Sequence, residues 1–198
     1  MARNWQTPEK GDRIPRGGVR WANAKRSHLN LNEKRCSYWE AGAARPHRLH
    51  ANLIYIDRRK CLLFVNDRTL FNFIVPDVTR PHLRDIPNLF LVWFSCVISA
   101  EGFPDEVNKK ILSEYEDLRV AQSSSRRVLG SANDLAFHYK YNILEAGVVH
   151  SWRIPDIISQ MNRMPMSCLR FNYPIEELRR LYGLAVWSIA NYSSYGHL

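Results

Sequence analysis

Residues 50 to 78 read HANLIYIDRRKCLLFVNDRTLFNFIVPDV, three apolar runs of strand length separated by two charged knots, DRRK and NDRT. Leu53 and Tyr55 alternate with Asn52, Ile54 and Ile56; Cys61 to Val65 is continuously apolar; Phe71, Phe73 and Val75 alternate with Leu70, Asn72 and Ile74. Period-two patterning belongs to strands, and a short apolar run bounded by turn residues fits a strand buried on both faces. The expectation is a three-stranded antiparallel meander, its middle strand in the core and a chain reversal at each knot. Asn66 and Asp67 tolerate positive φ and bond their own backbone, which suits a tight hairpin. Pro76 and Pro81 end the sheet.

Helical signals dominate from there. Asp85 to Glu101 has an almost wholly apolar centre and stops at Gly102, and Pro104-Asp105-Glu106 opens a second helix that runs to about Asp117. A brief strand follows at Leu118 to Ala121, then a polar loop from Gln122 to Arg127. Ser131 with Asp134 three residues later has capping-box spacing, so the next helix is expected to start at Ser131 and end at Gly147. Shorter helices begin at Pro155 and Pro174, the latter with Glu176 and Glu177 early, Arg179 and Arg180 late, and Gly183 to close it. The class is α+β: a three-stranded meander followed by a mainly helical layer of about five helices.

Charge divides the chain. Residues 1–50 hold 11 Lys+Arg against 4 Asp+Glu, a net of +7, and the other 148 hold 17 against 15, a net of +2. The opening segment is also poor in branched aliphatics and cannot bury enough apolar surface to offset its chain entropy. The organisation read from this is a basic, disordered leader at 1–47, one domain at 48–183 and a tail at 184–198. Cys36, Cys61, Cys96 and Cys168 have no CxxC spacing, and three lie in apolar runs, as reduced core thiols do. The N-terminus has no secretory h-region. The longest apolar run, Leu89 to Ala100, is twelve residues, short of the roughly 20 that cross a bilayer. A cytoplasmic protein without a membrane partner is expected.

The phrases HANLIYIDRRKCLLFVNDRTLF, SRRVLGSANDLAFHYKYNILEAG, IISQMNRMPM and YPIEELRRL, in this order, resemble an uncharacterised family of bacterial domains of unknown function. The likeness covers about residues 50–182. It implies a domain that opens near residue 48 and brings no mechanism with it.

Chemistry has two candidate seats in the domain. The knots Asp57-Arg58-Arg59-Lys60 and Asn66-Asp67-Arg68 are turn residues, and in a meander they lie at opposite ends of the middle strand, roughly 16 to 17 Å apart. They cannot form one catalytic site, although exposed arginine forks match phosphate oxygens. The second seat is Arg126, Arg127, Ser131, Asn133, Asp134 and His138. A loop that delivers arginines to a helix N-terminus is an anion cradle, and Asp134 and His138 at i and i+4 share a face. The same serine and acid also complete a helix cap. No metal-binding HxxxH or HxH pair, GxSxG, Walker loop or GxGxxG is present, so no catalytic residue, metal or cofactor is assigned.

Two functions follow. In the first, the protein is a non-catalytic binding or accessory module whose leader contacts an acidic partner, nucleic acid among them, through Arg16, Arg20, Trp21, Lys25 and Arg26. Aromatic rings there stack on unpaired bases while cations track phosphate. In the second, it is a small hydrolase or transferase acting on a phosphorylated substrate at the start of the Ser131 helix. Nothing in the sequence selects an oligomeric state.

Overall fold

The computed structural model describes residues 37–41, 48–115, 118–122, 126–147 and 153–186, and for 37–41, 119–122 and 126–127 the backbone alone. The meander forms as expected. β2 (Arg48–Ile56), β3 (Arg59–Asn66) and β4 (Asn72–Val75) are antiparallel, with Leu53 opposite Leu62 and Phe64 opposite Phe73. Cys61 to Val65 are all buried, as a central strand with two covered faces requires.

Both knots are reversals, built differently. Asp57 and Arg58 form a two-residue turn with φ of 45° and 62°, the type I′ pattern that matches strand twist. Positive φ therefore falls on these two residues and on Leu70, not on Asn66 or Asp67. Asn66 organises the second reversal with its side chain: Oδ1 accepts from the N–H groups of Arg68 (2.9 Å) and Thr69 (2.8 Å).

The sheet is wider than the meander. β1 (Ser37–Ala41) pairs with β2, and β5 (Leu118–Gln122) pairs with β1, giving five strands in the order β4-β3-β2-β1-β5. β5 occupies the expected brief strand. β1 corrects the N-terminal boundary: residues 37–41, read as leader, are an interior strand, and the rest of 1–47 lies outside the described residues. The segment eluded composition because a strand bonded on both sides draws its pairing from backbone groups that every residue carries.

Helices cover both faces. Phe64 and Phe73 meet Phe90 of α2 (Ile86–Ala100) at ring centroid distances of 5.4 and 5.6 Å, and Phe90 in turn meets Tyr115, just beyond α3 (Asp105–Ser113), at 5.0 Å. Alternate residues of the same strands point the other way, and there Asn72 bonds Tyr139 of α4 (Arg126–Glu145) and Asn162, which caps the C-terminus of α5 (Ile154–Met161). A short α1 (Arg80–Arg84) follows β4, a 3-10 turn spans Ser167–Leu169, and α6 (Pro174–Leu181) ends at Gly183, whose φ of 68° suits glycine. α2 starts after its Asp85 cap and stops ahead of Gly102 as expected; α3 ends at Ser113, short of Asp117.

Candidate functional site

The expected anion cradle is displaced. α4 begins at Arg126, so Ser131 lies in its second turn and starts no helix. The N–H groups around it are spent within the helix, which removes both the cap and the cradle at that position. Gln122 belongs to β5, and Arg126-Arg127-Val128-Leu129, expected partly as loop, carries no helix breaker and forms the first turn of α4. Ser131 is buried, its Oγ 3.2 Å from Cys168 Sγ. Asn133 and Asp134 are exposed, His138 is half-buried, and among the described residues Asp134 and His138 form no ion pair with each other. Arg126 and Arg127 form the first turn of α4, with only their backbone described. Arg16, Arg20, Trp21, Lys25 and Arg26 lie outside the described residues.

What the structure brings together instead are buried polar joints. At one end of β3, Asn66 Nδ2 donates to Tyr115 Oη at 2.8 Å while Asn66 Oδ1 also accepts from Thr69 Oγ1 at 3.0 Å. On the opposite face, Asn162 Oδ1 accepts from the N–H of Asn72 (2.9 Å), its Nδ2 donates to the carbonyl of Asn72 (2.7 Å), and Tyr139 Oη donates to Asn72 Oδ1 (2.8 Å). The carbonyl of Asn162 receives the N–H of Ile175 at 3.1 Å, so α6 is tied to the same point. Asn72, Asn162 and Tyr139 are wholly buried. Burial raises the Tyr115 and Tyr139 phenols well above the ordinary tyrosine range. Both are neutral hydrogen-bonding groups, unsuited to act as bases.

The model of a family described as a domain of unknown function (DUF6933) matches residues 33–177, well over half of the chain. The chain belongs to the DUF6933 family. No curated protein and no solved structure matches it. The match opens just ahead of β1, which agrees with the corrected boundary and not with a start near residue 48. Each phrase that carried the resemblance contributes to a joint: Asn66 and Thr69 from the first, Tyr139 from the second, Asn162 from the third and Ile175 from the fourth. In this DUF6933 domain those phrases encode the polar fasteners of the fold.

Among the described residues no group of three His, Cys, Asp or Glu is arranged to hold a metal, and no helix is long and apolar enough to cross a membrane. Cys61, Cys96 and Cys168 are free thiols, and burial pushes Cys61 up to about 11, far from a reactive thiolate. A shallow depression on α5, about 520 Å³, is lined by Arg153, Asp156, Ser159, Gln160 and Arg163. Arg163 already grips the Glu101 carboxylate with both nitrogens, at 3.1 and 2.7 Å. Two features escaped the sequence reading. The asparagines at 72 and 162 were legible as polar residues inside apolar surroundings, which must find partners. The stripe Phe137, Tyr141 and Leu144 on α4 is 67%, 57% and 48% exposed, and its i, i+4, i+7 spacing is the same on either side of a helix, so spacing alone does not show that it faces outward.

Proposed function

We propose that this DUF6933 protein is a non-catalytic binding module whose basic leader contacts an acidic partner, nucleic acid in the first instance. The charge partition carries the reading. Residues 1–32, ahead of the family match, hold 7 Lys+Arg and 2 Asp+Glu, a net of +5 out of the formal +9, and Arg16, Arg20, Lys25 and Arg26 surround Trp21. The domain supports it from the other side, since its buried tyrosines and asparagines are spent on internal joints and Ser131 opens no anion site. A cytoplasmic setting goes with the reading and is supported by the free thiols at Cys61, Cys96 and Cys168.

The test is titration of a fluorescent 15-nucleotide oligothymidylate with the full chain and with R16Q/R20Q/K25Q/R26Q between 50 and 200 mM salt. Each phosphate contact on a single strand contributes about 0.7 to the slope of log K against log salt, so four lost contacts lower it by about 2.8. Equal affinity and slope in the two proteins would end the proposal. A deletion should stop at residue 32, because removing residues 1–47 would also remove β1.

A further inference from the structure

The end of the sheet at the Asp57-Arg58 turn gathers cations that the fold does not use. Arg58 occupies the second turn position at φ 62°, where glycine would be unstrained, and is exposed. Lys60 stands opposite Tyr55 in the β2–β3 register, so both side chains leave the same face, and Tyr55 is 40% exposed. β4 runs back to this end: the N–H of Val78 bonds the carbonyl of Lys60 at 2.7 Å, and α1 then presents Arg80 and Arg84, both exposed, one turn apart. Among the described residues, none of these four cations makes an ion pair. The acids of the same segments are Asp57, Asp77 and Asp85. Asp77 is held by Arg59 at 3.0 Å, and Asp85 accepts the N–H of Asn88 as the cap of α2 and keeps its charge, so Asp57 and Asp85 stand against four cations.

We propose that this sheet end, through Tyr55, Arg58, Lys60, Arg80 and Arg84, is a docking surface of the folded domain for unpaired nucleic acid. The inference rests on the nucleic-acid reading above and adds the domain's own share of the contact. The four cations supply phosphate contacts. Tyr55, an exposed ring beside Lys60, supplies a platform for a base. A single strand fits better than a membrane, because Tyr55 is the only large apolar side chain exposed on these segments.

The experiment uses the full chain and three variants: R58G/K60Q, R80Q/R84Q and Y55L. Glycine at 58 fits the turn, and the other changes are at exposed or half-exposed positions, so thermal melts should show folded proteins. Probes are the 15-nucleotide oligothymidylate, an abasic strand of equal length, and vesicles containing phosphatidylserine. Each charge variant should lower the salt slope on oligothymidylate by about 1.4, two contacts at about 0.7 each, and weaken binding several-fold at 100 mM salt. Y55L should leave the slope intact and shrink the preference for oligothymidylate over the abasic strand. Wild-type slopes in both charge variants, with binding still lost in the leader variant, would overturn this surface and spare the leader. Slopes lowered here but intact in the leader variant would do the reverse. No binding of the oligonucleotide by the wild type overturns both, and charge-variant losses on vesicles alone overturn the nucleic-acid assignment.

Discussion

The side-chain amide of Asn162 pairs with both backbone groups of Asn72, accepting its N–H at 2.9 Å and donating to its carbonyl at 2.7 Å, as a neighbouring strand would. β4 is an edge of the sheet, and an edge leaves unpaired backbone groups that must be covered or wetted. One side chain at the end of α5 satisfies that edge at its first residue. It also fixes where α5 sits against the sheet, and its own carbonyl receives the N–H of Ile175 from α6.

Asn162→Ala should therefore be among the most damaging substitutions in the domain. It orphans the N–H and the carbonyl of Asn72 in a site with no exposure, at about 1–3 kcal/mol each, so a loss of about 2–6 kcal/mol is expected in urea unfolding. Tyr139→Phe removes one donor to Asn72 Oδ1 and should cost about 1–2 kcal/mol. Because both act through Asn72, the double variant should lose less than the sum. A change below about 0.5 kcal/mol for Asn162→Ala would mean that the amide is not the edge's partner.

Much of this architecture was legible in local pattern. The meander, α2, α6 and β5 were readable because alternation, caps and glycine stops are written within each segment. β1 was not, since SYWEA lies in a charged stretch and its identity as a strand comes from β2 and β5 on either side. Ser131-Ala132-Asn133-Asp134 resembled a helix start, yet a capping box is a four-residue signal, and five helical residues precede it. Asn72 and Asn162 are 90 positions apart, and no local pattern links them.

His50 gives the domain a pH dependence. It is 2% exposed in β2, and burial lowers its pKa below 6.5, with Arg48 acting in the same direction and Asp67 opposing. Above 6.5 the imidazole is neutral in both folded and unfolded chains and stability is full. As pH falls below 6.5 the unfolded chain takes up a proton that the folded one resists, so stability declines until the folded pKa is reached. The slope from this residue is at most about 1.4 kcal/mol per pH unit. Urea midpoints measured from pH 7.5 to 5 should fall in the wild type and flatten in His50→Gln. An equally steep fall in that variant would assign the effect to other groups.

Ser131→Ala separates a helix interior from a helix start. At an N-cap it would cost about 0.5–2 kcal/mol. Inside α4 the change exchanges a weak contact with Cys168 for better helix propensity, and a net effect within about 0.5 kcal/mol is expected. A loss of more than about 1 kcal/mol in thermal or urea melts would restore a capping role to this serine.

Arg58 sets stability against surface chemistry. At φ 62° a non-glycine residue carries a steric cost of roughly 1–2 kcal/mol, while glycine adds about 0.4–1 kcal/mol of unfolded-chain entropy. Arg58→Gly turns Asp57-Arg58 into Asp-Gly, a favoured pair for a type I′ turn, and the net expectation is a gain of about 0.5–1 kcal/mol in urea unfolding. A loss of stability would mean that the arginine side chain holds a contact stronger than the strain it bears. A gain, together with weaker binding of oligothymidylate by the R58G/K60Q chain, would show that the arginine occupies the turn at the fold's expense and serves what the turn touches.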